Sequence, residues 1–269
     1  MRASLSGGPE PATPDAIAVE EPLEIRLASD TFATLMRTPG EDHFLTAGFL
    51  FSEGIIRDLS DLGRLAHCGR PTEHGYGNLI DVAPGPGTVL APELAAGVQR
   101  NTVASSACGS CGREHIDDLL ARLIPLSDAR PLPVGLIGHS LAQLRERQSA
   151  FAQSGAMHGA LVCDVEGTSL ACSEDVGRHN AVDKVIGKLL YAGELGPEPR
   201  RALVLAVSGR CSFEIVQKAV LARLSCVVSV SAPTSLAIEL ADALGVTLVG
   251  FARGTVFNVY AHPERVRFA

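Results

Sequence analysis

The C-terminal part of the chain constrains the fold most, because short apolar runs alternate there with segments of helical periodicity. Residues 202–207 form a continuous apolar stretch, and residues 226–230 and 246–251 are largely apolar, which is typical of strands buried on both faces. Residues 212–224 and 235–244 lie between these runs and carry apolar side chains at helical spacing. Thr234 is the predicted N-cap of the second of these helices, and Gly245 is its predicted end. Strands that alternate with helices in this way predict parallel β-α-β units and a chain of the α/β class.

Two further elements precede these units. Residues 159–165 and 168–172 predict a hairpin that turns at Glu166-Gly167. A helix follows the hairpin, with Asn180 as its predicted N-cap. The predicted apolar face of this helix comprises Val182, Val185, Ile186, Leu189 and Leu190.

The first half of the chain is less regular. Its patterns predict strands at 22–27, 32–38 and 78–82 and helices at 42–53, 116–123 and 140–151. Residues 1–16 are rich in Gly, Pro, Ser and Ala and predict a disordered tail. Three prolines make 125–138 a predicted linker. We therefore divide the rest of the chain into a small N-terminal subdomain at 17–124 and an α/β domain at 125–269.

Composition excludes several classes of protein. A net charge of −7 argues against a general nucleic-acid binder. No apolar run approaches the roughly 18 residues of a membrane span, so we expect no membrane insertion. Seven cysteines, an odd number, do not suit the disulfide framework of a secreted domain. We expect a cytoplasmic protein, in which a CxxC pair is catalytic or metal-binding.

The pair Cys108 and Cys111 is the first chemical motif. It lies in a small, polar, glycine-containing segment just before a predicted helix, where a thiol pKa is lowered, and Arg113 and His115 follow closely. Persulfide or disulfide catalysis, zinc binding and chance spacing are all compatible with this pattern. A four-ligand zinc site needs a second CxxC or a paired histidine, and the sequence contains neither, so we expect no metal bound by the protein.

A second motif, residues 174–180, joins the hairpin to a helix start and contains Arg178 and His179. It is compatible with phosphate binding, with proton transfer, or with a simple helix cap and a surface ion pair.

A third group consists of the loops 208–210, 231–234 and 252–254, which follow the three predicted parallel strands. Ligands bind beyond the carboxyl ends of such strands, so Arg210 and Arg253 predict an anionic, phosphorylated ligand there. The alternative is ordinary surface arginines on turns.

Several remaining residues have simpler interpretations. Glu214 and Lys218 are spaced as an i, i+4 surface ion pair. Cys211 opens a helix beside the predicted ligand site, and the sequence assigns no role to it or to Cys68. The other cysteines of the α/β part predict small core side chains on strands: Cys163, Cys172 and Cys226.

Six segments together resemble the formate dehydrogenase accessory sulfurtransferases, the FdhD family. They are EDHFLTAGFLFSEGII at 41–56, CGSCG at 108–112, DVGRHNAVDKVIG at 175–187, SGRCSFEIVQKA at 208–219, VSAPTSLAIELA at 230–241 and VGFARGTVFNVYAHPERV at 249–266. The likeness spans most of the chain but not residues 1–16 or the proline-rich linker.

This resemblance implies a sulfur carrier protein required for formate dehydrogenase activity. A cysteine desulfurase would load sulfur as a persulfide on Cys108, with Cys111 as the partner thiol. The sulfur would pass to the molybdenum bis(molybdopterin guanine dinucleotide) cofactor before its insertion into formate dehydrogenase. The residues that would face this cofactor are Arg178, His179, Ser208, Gly209, Arg210, Phe251, Ala252, Arg253, Gly254, Thr255 and Val256.

The resemblance also implies a cytidine deaminase-like three-layer domain, a small N-terminal part that contains β-strands, and a homodimer. Two positions depart from the pattern of relatives. Cys211 stands where they often have a small residue without a thiol, and Val256 stands where a basic residue can occur. The alternative function is a non-catalytic chaperone that only holds the molybdenum cofactor.

Overall fold

The structure is a computed structural model, and it describes residues 3–4, 8–9, 14–68, 77–90, 123–126, 130–195 and 203–268. The strands are β1 (Ala3–Ser4), β2 (Gly8–Pro9), β3 (Glu21–Leu27), β4 (Asp30–Arg37), β5 (Leu62–His67), β6 (Leu79–Pro84), β7 (Leu132–Pro133), β8 (His158–Asp164), β9 (Ser169–Asp175), β10 (Leu203–Val207), β11 (Cys226–Ser229), β12 (Thr247–Arg253), β13 (Val256–Ala261) and β14 (Val266–Arg267). The helices are α1 (Asp42–Ser52), α2 (Val134–Arg147), α3 (Ser149–Ser154), α4 (Arg178–Tyr191), α5 (Phe213–Leu221) and α6 (Ser235–Leu244).

A six-stranded sheet in the order β13-β12-β11-β10-β8-β9 forms the centre of the molecule. Its strands β10, β11 and β12 are parallel, and α5 and α6 connect them, which confirms the predicted β-α-β units. The β8–β9 hairpin pairs antiparallel with β10, so β8 begins at the edge where β10 ends. β13 folds back antiparallel on β12.

Helices cover both faces of this sheet. Leu136, Ile137 and Leu144 of α2 pack on one face against Leu161 and Val204. The opposite face packs against the buried sides of α4, α5 and α6. These layers explain why the central strands are mostly apolar, since helices cover both faces of the sheet.

A second sheet, in the order β4-β3-β6-β5, is built from residues before position 85. Helix α1 covers it with Leu45, Phe49 and Leu50. The other side of α1 contacts α4 of the larger sheet. The division of the chain at 124 remains a prediction. The disorder of residues 1–16 also remains a prediction; within this segment the structure describes an antiparallel pairing of β1 with β2.

The α1–α4 contact depends on two glycines. A Cβ at Gly48 would lie 1.8 Å from the Asp183 carbonyl oxygen, and one at Gly187 would lie 2.0 Å from the Phe44 carbonyl oxygen. Both neighbours are backbone atoms, so no side chain can rotate to make room. The two helices can therefore approach this closely only with glycine at both positions.

Three elements differ from the predictions. Helix α2 begins at Val134, within the predicted linker, because Pro133 at its N-cap position starts the helix and does not break it. A break at Gln148 divides the predicted helix at 140–151 into α2 and α3. Asn180 is not an N-cap: α4 begins at Arg178, and Gly177 occupies the cap. The predicted helix at 116–123 lies outside the described residues except at its last position.

The residues on either side of helix α6 determine where it begins and ends. Thr234 Oγ1 accepts a hydrogen bond from the Ala237 amide, and Gly245 ends the helix with φ of 75°. Both were predicted from the sequence. No helix in the described part of the chain is long and apolar enough to cross a membrane.

The glycine contact between α1 and α4 gives a stability test. Gly48→Ala should lower the free energy of unfolding by about 3 kcal/mol or more, since overpacking against backbone cannot be relieved locally. Gly135→Ala is the matched control, because a Cβ at this α2 position has nothing within 4 Å. It should be neutral or slightly stabilising. Thermal or denaturant unfolding checks both, and equal stability of the two variants would contradict the described packing.

Candidate functional site

The loops that follow β10, β11 and β12 lie side by side at one edge of the large sheet. Ser229 Oγ donates to the Gly209 carbonyl at 2.7 Å, which joins the first loop to β11. The Phe251 amide donates to the Ser231 carbonyl at 3.1 Å, and Arg253 Nε donates to the Val230 carbonyl at 3.3 Å. The structure thus brings together the three segments that the sequence singled out.

The start of α4 is held at the same edge by Asp175, the last residue of β9, which is fully buried. Its Oδ1 accepts hydrogen bonds from the Gly177 amide at 2.8 Å and from Asn180 Nδ2 at 3.0 Å. Its Oδ2 lies 2.7 Å from Lys184 Nζ and accepts from the Thr38 amide at 3.2 Å. The buried carboxylate is therefore fully paired, and it fixes the turn that presents Arg178.

We call His158, Arg178, His179, Ser208, Gly209 and Arg210 the cationic edge. Arg178 and His179 are the first two residues of α4, which has no side-chain cap. The first turn of a helix presents free N–H groups and a positive dipole end, so it attracts anions and disfavours cations. Two basic residues at this position are unfavourable for the helix alone, and such a local conflict is typical of a functional site.

The two arginines of the cationic edge repel each other. Partial burial lowers the pKa of Arg178, and the charge of Arg210 lowers it further, against a smaller opposite effect of Glu214. Arg178 Nε is buried and has no hydrogen-bond partner among the described residues. A buried donor without an acceptor is costly, and an anionic ligand between the two guanidinium groups would satisfy it.

Gly209 lets the side chains of the cationic edge approach one another. A Cβ at this position would lie 3.2 Å from His158 Nδ1 and 3.9 Å from Arg178 Cβ. A side chain here would fill the space between the imidazole of His158 and Arg178, so glycine keeps this space open. His158 was not identified from the sequence, since a lone histidine at a strand start carries no local signal.

His179 is paired with the next helix. Its Nε2 lies 2.8 Å from Glu214 Oε2 and 3.2 Å from Ser212 Oγ. The hydrogen bond from His179 lowers the pKa of Glu214. The predicted Glu214–Lys218 surface pair was therefore wrong, because Lys218 is buried and bonds both oxygens of Asp183 at 2.7 and 2.8 Å.

The β12–β13 hairpin contains the segment predicted to face a nucleotide. Phe251 is 42% exposed. Its φ of 51° lies in the left-handed region, which is uncommon for an aromatic residue. Val256 is 69% exposed, and Arg253, Gly254 and Thr255 are exposed as well. Ala252 is buried in the core, so its side chain cannot contact a ligand. The exposed members of this segment are available for binding.

Cys108 and Cys111 lie outside the described residues. Among the described cysteines, burial raises the pKa of Cys163 and of Cys211 to about 12. Burial likewise raises the pKa of Cys226 and of Cys172. Thiols with raised pKa values form little thiolate at neutral pH and are poor nucleophiles, so these four are suited to packing. Cys211 in particular is fully buried, so its sulfur is not accessible for redox chemistry.

Cys68 differs from the buried cysteines, because its side chain is exposed at the end of β5. Within the described part of the chain, no group of three or more His, Cys, Asp or Glu side chains is placed to hold a metal ion.

Removing a positive charge should have different effects on stability at the two ends of α4, because the charge is unfavourable at the first turn and favourable at the last. Arg178→Gln should leave the free energy of unfolding unchanged or raise it, since the charge lies at the unfavourable helix end beside Arg210. Lys188→Gln is the charge-matched control at the last turn, where the ammonium bonds the Cys172 carbonyl and pairs with Glu41. It should destabilise by about 1–3 kcal/mol. Urea unfolding of both variants checks this, and an equal loss for Arg178→Gln would contradict it.

Comparison with known proteins assigns the chain to a family. The FdhD/NarQ family model matches residues 18–267. A sulfur carrier protein FdhD from Anaeromyxobacter dehalogenans is 51% identical over 258 residues, which cover 95% of this chain and 90% of that protein. The protein of the same description from Mycobacterium tuberculosis is 43% identical over 260 residues, covering 94% and 92%.

A solved structure agrees with the sequence comparisons. The crystal structure of a protein described as a formate dehydrogenase accessory protein from Desulfotalea psychrophila superposes with a TM-score of 0.70. It is 26% identical, and the match covers 94% of this chain and 91% of that one. The resemblance drawn from the six sequence segments is confirmed: the chain belongs to the FdhD/NarQ family.

Proposed function

We propose that this protein is a sulfurtransferase of the persulfide-carrier type. It takes sulfur from a cysteine desulfurase on Cys108 and delivers it to the molybdenum bis(molybdopterin guanine dinucleotide) cofactor, which is the substrate and not a resident group. The sulfur-loaded cofactor then goes to formate dehydrogenase. Relatives described as sulfur carrier proteins, one of them 51% identical to this chain, support this proposal.

The cationic edge is the observation that supports a phosphorylated acceptor. The charge of Arg210 lowers the pKa of Arg178, and the Arg178 Nε lacks a hydrogen-bond partner among the described residues. Diphosphate groups suit such a site, because guanidinium groups bind phosphate oxygens in bidentate geometry and a helix N-terminus adds N–H donors. The exposed Phe251 ring, on the neighbouring hairpin, is suited to the nucleoside end, and the exposed Arg253 of the same hairpin is suited to the adjoining phosphate.

The donor side follows from the chemistry of the thiols. The Cys108 thiolate attacks the terminal sulfur of the desulfurase persulfide. A new S–S bond forms at Cys108 as the donor S–S bond breaks, and the donor cysteine leaves as a thiolate. No net oxidation occurs in this step.

Delivery requires two electrons, because the transferred sulfur is at the zero oxidation level and a sulfide ligand is at minus two. Cys111 is suited to supply them. Its thiolate attacks the inner sulfur of the Cys108 persulfide, which releases sulfide to the acceptor and leaves a Cys108–Cys111 disulfide. A cellular dithiol reductant then reopens this disulfide.

The three-layer arrangement is compatible with a cytidine deaminase-like domain. We infer a cytoplasmic homodimer without a metal bound by the protein itself. A non-catalytic chaperone that only holds the molybdenum cofactor is the alternative; it needs the cationic edge but no reactive thiol.

The two functions separate in an activation assay with apo-formate dehydrogenase, molybdenum cofactor, a cysteine desulfurase and cysteine. Cys108→Ala should abolish activation and retain cofactor binding. Cys68→Ala is the matched control at an exposed cysteine and should activate normally. Full activation by Cys108→Ala would leave only the chaperone.

Arg253→Ala should have the reverse effect, with weaker cofactor binding and normal persulfide loading. Losing one arginine–phosphate contact should weaken binding by about 10-fold or more, since charge-assisted hydrogen bonds contribute about 1.5–3 kcal/mol. Arg267→Ala, at an exposed arginine on β14, is the control. Fluorescence titration with GDP checks both, and equal affinities for the two variants would contradict the assignment of the β12–β13 hairpin.

A further inference from the structure

His158 lies in the middle of the cationic edge. It is the first residue of β8, and β8 runs antiparallel to β10, so His158 is beside the carboxyl end of β10. Two hydrogen bonds fix this position: the Gly159 amide donates to Ser208 Oγ at 2.9 Å, and the Ser208 amide donates to the Gly159 carbonyl at 3.0 Å. The imidazole is therefore held against the loop that carries Arg210.

The charges that face His158 come from three elements. Arg178 and His179 approach from α4, and Arg210 approaches from the loop after β10. Asp175 at the end of β9 acts in the opposite direction, but its carboxylate is neutralised by Lys184. The surroundings of the imidazole are thus cationic on balance.

These surroundings oppose a further positive charge. Burial lowers the pKa of His158, and the charges of Arg178, His179 and Arg210 lower it further. These effects favour the uncharged form of the ring in the free protein. A phosphate dianion bound between the arginines would reverse the sign of the local potential and favour the imidazolium, which donates hydrogen bonds from both nitrogens.

We propose that His158 is a ligand-contacting residue of the cationic edge that takes up a proton from solvent when a phosphate-bearing ligand binds. This inference rests on the proposed function, because it assumes that the ligand of this edge carries phosphate. It assigns a role to a residue outside the motifs that identified the site. If His158 has a higher pKa in the complex than in the free protein, ligand binding becomes tighter as the pH falls from the first value to the second, since proton and ligand stabilise each other.

Calorimetry of GDP binding tests this directly. Titrations near pH 7 in buffers of different ionisation enthalpy give the number of protons taken up per GDP. The wild-type protein should take up a fraction of one proton more than H158Q. Protons exchanged by the GDP phosphates and by His179 contribute to both experiments, so the excess uptake of the wild type over H158Q reports on His158.

A matched control is H139Q. His139 lies on α2, and its Nε2 is 3.3 Å from the Gly167 carbonyl, at the β8–β9 turn and thus at the far end of β8. H139Q should behave as the wild type. A second measurement needs no variant at position 158: the ¹H–¹³C signal of the His158 ring, followed against pH, should titrate at higher pH with GDP than without.

Equal proton uptake by wild type and H158Q, or a His158 titration unchanged by GDP, would overturn the inference and leave the proposed function intact. Failure of the wild-type protein to bind GDP would overturn the phosphate site and this inference together. Persulfide loading on Cys108 does not depend on either result, so the failures are distinguishable.

Discussion

The buried carboxylate of Asp175 is the interaction on which the rest of the structure depends. Its two oxygens bind Lys184, Asn180 and two backbone amides, one of them at Thr38 in the link between β4 and α1. One side chain thus joins both sheets and α4. A buried charge that loses its partner costs about 3–5 kcal/mol, so this pairing fixes the relative positions of these elements. It leaves the first turn of α4 without a side-chain cap and directed at the edge of the large sheet.

A fold built around this carboxylate can maintain a site that is unfavourable by itself. Arg178 stands at a positive helix end beside Arg210, and the imidazole of His158 is enclosed by cationic groups. Packing in the α1–α4 contact and in the three layers offsets this cost. Stored repulsion of this kind favours an anion over water, since binding removes both the repulsion and the unsatisfied donor. The charges described at this edge therefore favour an anion, as the proposed phosphorylated acceptor requires.

Sequence reasoning predicted the regular parts of the fold because their signals are local. The apolar runs of β10 to β12 and the cap and stop of α6 at Thr234 and Gly245 needed no tertiary information. Asn180 was misassigned, because its side chain bonds across space to Asp175 and to the Met36 carbonyl. Lys218 was misassigned for the same reason: its partner Asp183 is 35 residues away. His158 could not be found at all, since its neighbours come from three separate segments.

The central claim is that Cys108 carries sulfur, and one measurement tests it most directly. The protein is incubated with a cysteine desulfurase and cysteine, alkylated, digested and analysed by mass spectrometry. We expect one additional sulfur on the peptide that contains Cys108 and Cys111, removed by a reductant, and none on the peptide of Cys68. Absence of sulfur from the Cys108–Cys111 peptide with an active desulfurase would contradict sulfur carriage and would favour a chaperone that only holds the cofactor.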